Sequence, residues 1–105
     1  HGRADMIGWK IERDGRAFAA IPDCKSLPPE TMALCRGVDL VAIDALRIRP
    51  HPTHMNFAEA IAALQDIAAR RALVIHLCHE ISHAQAERLL PAGMAPAYDG
   101  LQIDL

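Results

Sequence analysis

The N-terminal part of the chain alternates between apolar and polar positions, which is the pattern of a half-buried strand. The alternation covers residues 6–13, and a second apolar run covers residues 17–21. Asp14 and Gly15 lie between the two runs. Because Asp-Gly favours the tight turn that joins antiparallel strands, these residues predict a β-hairpin.

The middle of the chain predicts a helix, a buried strand and a loop. A proline pair begins a short helix over residues 30–36, and residues 38–43 form a continuous apolar run typical of a buried strand. Two prolines exclude regular structure from residues 47–53. This region after the strand carries His51 and His54, and loops that follow strands are common locations for chemistry.

The C-terminal half predicts two helices and three strands. Asn56 and Glu59 have the spacing of a capping box in front of apolar residues at helical intervals. Residues 72–77 predict a strand and residues 82–90 a second amphipathic helix. Residues 95–105 predict a final pair of strands around an Asp-Gly turn.

The order of these elements predicts an α/β fold in which helices pack against a mixed sheet. A chain of 105 residues with 51% hydrophobic residues has enough material for one domain. It begins at His1 without an initiator Met, so we expect either processing or a piece of a longer protein.

Charge and composition narrow the function classes. Eleven Lys and Arg against 13 Asp and Glu give a formal charge of -2, which disfavours an extended nucleic-acid partner. The apolar runs are shorter than the roughly 18 residues of a membrane span. Cys24, Cys35 and Cys78 lack the spacing of a disulfide framework, so we expect a reducing compartment, the cytoplasm.

Polar side chains follow three of the predicted strands. Asp23, Asp44 and His76 each stand at a strand end, and such groups can converge on one site. Taken singly, each aspartate could be a turn former or a helix cap, and the histidine a core residue. Imidazole and carboxylate are ordinary ligands of Zn and similar ions, which lower the pKa of a bound water. The pattern therefore suggests metal-assisted hydrolysis.

An alternative interpretation predicts a site for a single zinc ion further along the chain. Cys78 would face the same side as His76 if the strand continued, and His79 and His83 have helical i, i+4 spacing. These residues could form a mononuclear zinc site, although no second pair of cysteines accompanies them.

The order and spacing of several short segments resemble the metallo-β-lactamase superfamily. The segments are His1-Gly2, Gly8-Trp9, Ile21-Pro22-Asp23, residues 38–47, His51-Pro52-Thr53-His54, residues 74–79 and residues 97–100. The similarity is greatest to the branch of small phosphodiesterases that includes the cyclic ribose-phosphate phosphodiesterase of the carbon-phosphorus lyase pathway. The resemblance implies a four-layer sandwich of helix, sheet, sheet and helix, of which residues 1–105 form a single partial domain, the C-terminal half.

The resemblance also implies a centre of two divalent metal ions, Zn or Mn. His1 matches a ligand histidine, Asp23 the aspartate that bridges the two ions, and His76 the last ligand histidine. A carboxylate suits the bridging role because each of its oxygens can face one cation.

Catalytic and substrate-binding roles follow from the same resemblance. His54 matches a histidine that protonates the leaving oxygen of the phosphate ester, and Asp44 the acidic residue that orients it. Arg47, His51 and His79 lie beside matched positions and are candidates for substrate binding, with a surface or supporting role as the alternative. The substrate implied is a small phosphodiester, a nucleotide-like or sugar cyclic phosphate.

The chain departs from the superfamily pattern in lacking the His-x-His-x-Asp-His motif. Three ligands alone leave each of two metals short of a four-coordinate site, so we expect an N-terminal half or another chain to complete it. The sheet of that half would also cover an apolar face of the sheet in this chain. If that half is absent, we expect a homodimer to cover the same face.

Two further functions remain open at this point. One is a tRNA 3′-processing endonuclease of the same superfamily, in which case the substrate is RNA. The other is a binding module or inactive fragment that retains the fold without turnover.

Overall fold

The computed structural model describes residues 4–105. Over these residues a five-stranded sheet is combined with helices between its strands. The elements in chain order are β1 (Trp9–Arg13), β2 (Arg16–Ile21), α1 (Pro29–Cys35), β3 (Leu40–Asp44), α2 (Phe57–Ile67), β4 (Arg71–Ile75), α3 (His83–Leu89) and β5 (Met94–Pro96).

The predicted hairpin is confirmed. β1 pairs with β2 in antiparallel fashion, from Trp9 opposite Ala20 to Arg13 opposite Arg16. Asp14 and Gly15 both have positive φ, 51° and 75°. Positive φ at both central residues is the requirement of a two-residue turn whose twist matches that of the strands.

The other strands pair in parallel, and their spatial order β1-β2-β3-β4-β5 is the order of the chain. Each parallel connection contains one helix, since a parallel crossover needs a long connection. The sheet is therefore mixed, as the sequence predicted.

The helices pack on one face of the sheet. Alternate strand residues point to this face, among them Ala19, Val41 and Val74, and all three are fully buried. They contact fully buried helix residues such as Ala60 and Ile67 in a single core cluster. Helices on one side of a mixed sheet are the arrangement that the resemblance implies for this half of the sandwich.

The opposite face of the sheet is partly exposed. Trp9 and Ile11 pair with Ala20 and Phe18, so all four point away from the helices. Trp9 is 65% exposed and Ile11 57% exposed. The C-terminal segment lies near one corner of this face, where Leu105 lines a shallow cavity with Ile11 and Phe18.

The predicted C-terminal pair of strands is wrong, because the last strand of the described residues is Met94–Pro96. Ala97 donates its N–H to the Val74 carbonyl at 3.0 Å, which ends the pairing with β4. A turn closed by Leu101 N–H and the Tyr98 carbonyl follows. The chain then returns toward Phe18 and Ile11 instead of pairing beside β5, so residues 101–105 form no strand.

The helices α2 and α3 both begin with reciprocal caps. Asn56 accepts from the Glu59 N–H and Glu59 from the Asn56 N–H, which confirms the predicted capping box of α2. Ser82 and Gln85 form a second capping box at the start of α3. Within residues 4–105, no helix combines the length and apolar composition that a membrane crossing requires.

Candidate metal centre

The candidate site lies at one edge of the sheet, where three parallel neighbours end. Asp23 follows β2, Asp44 is the last residue of β3, and His76 directly follows β4. Asp44 pairs in register with Ile75, one residue before His76. Parallel strands in register bring their carboxyl ends to one edge, which explains why residues distant in sequence meet here.

His76 has an unusual backbone conformation. Its φ is 67°, in the left-handed region that residues other than glycine rarely adopt. Such strain persists where surrounding contacts fix it, and it is concentrated at functional sites. His76 Nε2 lies 3.1 Å from Asp23 Oδ1, so the strained turn brings its imidazole to the Asp23 carboxylate.

Asp44 and His54 form a buried carboxylate–imidazole pair. Asp44 is fully buried, and its Oδ2 lies 2.6 Å from His54 Nδ1 and accepts the Cys24 N–H at 3.0 Å. Among the described residues, Asp44 Oδ1 has no hydrogen-bond partner. Because a carboxylate only accepts, the short contact places a proton on His54 Nδ1 and fixes the tautomer of the ring.

Asp23, His54 and His76 form a group that could hold a metal ion, and these three residues are called the metal-type group below. Each offers one donor atom, and these atoms lie within 4.8 Å of one another. The His54 and His76 rings are stacked, with centroids 4.8 Å apart. One carboxylate and two imidazoles are a typical donor set for a divalent ion, and three donors leave a position open for water or substrate. A carboxylate behind a donor histidine, as Asp44 is behind His54, is also common at such sites.

His51 lies beside this group. Its ring centroid is 5.0 Å from that of His54, and its Nδ1 accepts the Thr53 N–H at 3.1 Å. Desolvation, together with the charge of Arg47, lowers the pKa of His51 below its ordinary value. His51 is therefore a neutral imidazole near neutral pH that carries its proton on Nε2, a donor for an anionic substrate.

The other residues expected at the site lie elsewhere or outside the described range. Arg47 donates to the carbonyls of Arg49 and Pro50, so its guanidinium is directed into its own loop. His79 is exposed in the turn after β4, outside the metal-type group. His1 lies outside the described residues, and its expected metal ligation stays a prediction.

The alternative zinc site of Cys78, His79 and His83 does not form. The metal-type group among residues 4–105 contains none of these residues. His83 Nε2 instead lies 3.0 Å from Glu87 Oε1, and its ring packs edge-on against Tyr98.

Two features of the site have no counterpart in the sequence analysis. Cys24 donates its backbone N–H to Asp44, while burial and the Asp44 charge raise the pKa of its thiol to about 12. Glu80 binds Arg49 across two loops. Neither contact follows a sequence motif, since both depend on how separate loops meet.

The fold and the site define a class of protein, an α/β domain with a metal-type group at the carboxyl edge of its sheet. The Beta-lactamase superfamily domain matches residues 1–77 of the chain. The chain therefore belongs to this superfamily, and within it lies near the PhnP branch. The resemblance found in the sequence is confirmed. A comparison with curated protein sequences finds no match.

Three solved structures illustrate the similarity. A diphosphatase from the PhnP family is 34% identical, with 84% of this chain and 35% of that chain covered and a TM-score of 0.81. Zn²⁺-bound PqqB from Methylobacterium extorquens is 25% identical, with 93% and 43% covered and a TM-score of 0.71. The short form of human tRNase Z is 17% identical, with 92% and 36% covered and a TM-score of 0.70, and shows the fold alone. The chain thus spans less than half the length of these structures.

Proposed function

We propose that the chain is part of a metal-dependent phosphodiesterase that acts on a small phosphodiester, nucleotide-like or a sugar cyclic phosphate. The observation that carries this proposal is the Asp44–His54 contact of 2.6 Å beside the Asp23 and His76 donors. A carboxylate bound to one ring nitrogen orients the other nitrogen of a metal ligand or of a proton donor, and we assign His54 to proton transfer. The 34% identity with a diphosphatase of the PhnP family supports a phosphate substrate.

Asp23 and His76 would hold the metal. We propose a centre of two divalent ions, Zn or Mn, in which Asp23 bridges the ions and His1 supplies a further ligand. The remaining ligands would come from an N-terminal half of the fold or from another chain. When bound, divalent ions polarise the phosphate and activate a water for attack. The mixed oxygen and nitrogen donors suit both Zn and Mn.

His54 would donate a proton to the leaving oxygen. Its Nδ1 is bound to Asp44, so Nε2 is the nitrogen that can face the substrate. The Asp44 carboxylate stabilises the protonated ring and holds it in place, as an acid near neutral pH requires. His51, a neutral donor on Nε2, would bind a nonbridging phosphate oxygen. Arg47 and His79 stay predicted substrate contacts that depend on loop rearrangement.

The cellular location proposed for this reaction is the cytoplasm. Cys24, Cys35 and Cys78 are all free thiols, which agrees with a reducing compartment.

The test compares two phosphodiesters in the full-length protein and its His54→Ala variant. An alkyl leaving group needs a proton and should lose about 10²-fold or more in kcat, whereas a 4-nitrophenyl leaving group needs none and should lose little. Metal content, measured by elemental analysis, should stay within experimental error of wild type.

Other results would contradict the assignment. An equal loss with both leaving groups, together with a loss of metal, would make His54 a metal ligand instead of the proton donor. Full activity of the variant toward the alkyl ester would leave His54 outside the reaction. Absence of activity toward any phosphodiester in the wild-type protein would favour the binding module.

A further inference from the structure

An ion-pair network joins two loops beside the candidate metal centre. Glu80, in the turn after β4, accepts from Arg49 Nε through both carboxylate oxygens, at 3.2 Å and 3.1 Å, and also from Arg49 Nη2. Arg47 Nη1 lies 3.9 Å from Glu80 Oε1. Both arginines belong to the loop between β3 and α2, which carries His54, whereas Glu80 belongs to the loop that begins at His76.

Arg47 and Arg49 have different roles in this network, because they bind different groups. Arg47 Nη2 donates to the Pro50 carbonyl at 2.8 Å and its Nε to the Arg49 carbonyl at 3.2 Å, so it shapes the turn from inside. Its side chain is only 17% exposed. Arg49 binds Glu80 in forked geometry, the strongest form of a carboxylate–guanidinium pair, and attaches the turn to the next loop.

The same loop is held at its far end by His54. His54 Nδ1 contacts the buried Asp44, and the Leu46 N–H donates to the Met55 carbonyl at the base of the loop. Residues 49–54 are thus attached to the sheet at one end and to Glu80 at the other. His51 lies between these two attachments, so its position depends on both.

We propose that Glu80 is a positioning residue that fixes the loop of His51 and His54 relative to His76. Its catalytic consequence rests on the proposed function, but the loop geometry itself does not. Glu80 is not a member of the metal-type group, and its side-chain ion pairs with described residues are to Arg49 and Arg47, through which it would act. Loss of the Glu80 carboxylate should loosen the loop without removing a donor of the site.

The experiment compares Glu80→Ala and Glu80→Gln with Glu87→Ala as the matched control in the full-length protein. Glu87 is also an exposed glutamate with a side-chain ion pair, but its partner is His83 at 3.0 Å on α3. Amide hydrogen exchange of Thr53, Met55 and Phe57, whose N–H groups have acceptors in the structure, reports loop opening. The downfield Nδ1–H proton resonance of His54 reports its contact with Asp44. Circular dichroism verifies the fold of each variant.

Glu80→Ala should accelerate exchange in the loop by about fivefold and broaden the His54 resonance. Glu80→Gln, which keeps one acceptor oxygen for Arg49, should give a smaller change, and Glu87→Ala none in this loop. Unchanged exchange and an unchanged resonance in Glu80→Ala would overturn the proposal. A wild-type protein without phosphodiesterase activity would overturn the proposed function instead, because neither loop measurement requires turnover.

Discussion

At the scale of single residues, His76 combines a donor side chain with an unfavourable backbone. A left-handed conformation costs a residue with a Cβ roughly 1–2 kcal/mol, and glycine avoids that cost. His76 is followed by a loop that must return toward α3, and its φ of 67° makes the change of direction at the site itself. The turn is therefore less stable with histidine at position 76 than it would be with glycine there.

We expect His76→Gly to be more stable than His76→Ala by about 1 kcal/mol, because both variants lack the imidazole and differ in backbone strain. Urea denaturation of the metal-free protein measures this difference. His79 supplies the control, since it is not among the residues with positive φ. There the alanine variant should be at least as stable as the glycine variant, and the same order at His76 would show that the strain is absent.

Asp39, directly before β3, contacts β2 and the residue before β4 through its side chain. Its Oδ2 accepts the Ala17 N–H at 2.8 Å, and its Oδ1 lies 3.5 Å from Arg70 Nη1. The Ala17 hydrogen bond holds the pKa of Asp39 below its usual value. Because the folded-state pKa is the lower one, the stabilisation is complete above the unfolded-state pKa and is lost as the pH falls through the folded-state pKa.

Asp39→Asn should therefore lower Tm near neutral pH, and its difference from wild type should shrink as the pH falls below 3.8. Thermal unfolding over a pH series measures the effect. Asp66→Asn, which removes an exposed ion pair with Arg36, should have a small effect at every pH. A constant difference for Asp39→Asn across the series would contradict a role of its charge.

The sequence predicted those residues of the candidate site that stand at the ends of strands. Asp23, Asp44 and His76 stand at the ends of strands that the apolar runs indicate, and parallel pairing brings those ends together. The Asp44–His54 contact was expected from the resemblance, and its 2.6 Å distance agrees with that expectation. Glu80 was not predictable, because its contact depends on the path of two irregular loops.

At the scale of elements, α2 begins directly after the His54 loop and depends on its cap. Asn56 accepts the Glu59 N–H at 2.9 Å, and Glu59 also binds Lys25, which follows β2. The start of α2 is thus attached both to its own backbone and to the segment that carries Asp23. A well-formed helix start limits the freedom of the loop in front of it.

Asn56→Ala should lower the free energy of unfolding by about 1 kcal/mol, because the Glu59 N–H loses its acceptor. Asn56→Asp keeps an acceptor oxygen in the same place and should remain close to wild type. Chemical denaturation of the three proteins gives the comparison. Equal stability of the alanine and aspartate variants would mean that the capping bond contributes nothing measurable.

The elements themselves were predicted where local chemistry determines them. The Asp-Gly turn, the capping box and the apolar runs gave the hairpin, α2 and the central strands correctly. The C-terminal pair of strands was wrong, although Asp99-Gly100 does form a turn. Turn residues predict a reversal of the chain, but whether the returning segment pairs depends on which sheet edge or face receives it.

At the scale of the whole molecule, the two faces of the sheet differ. Helices cover one face, whereas Trp9 and Ile11 are largely exposed on the other. Such an apolar surface favours association. That an N-terminal half or another copy of the chain covers this surface stays a prediction.

Trp9→Thr combined with Ile11→Thr should weaken self-association of the chain in solution, because threonine keeps strand propensity while removing apolar area. Sedimentation velocity over a concentration series measures the effect. Leu34→Thr combined with Leu89→Thr, two exposed positions on the helices, is the control and should change association less. A larger effect of the control would place the contact surface on the helical layer.

The sheet order β1-β2-β3-β4-β5 also affects how the molecule is assembled during synthesis. Each strand pairs only with strands adjacent to it in the chain, so every new strand finds its partner already made. No strand is inserted between two earlier ones. A cut in any connection consequently divides the sheet into two continuous blocks that meet along a single strand edge, which suits recombination of two separately made pieces.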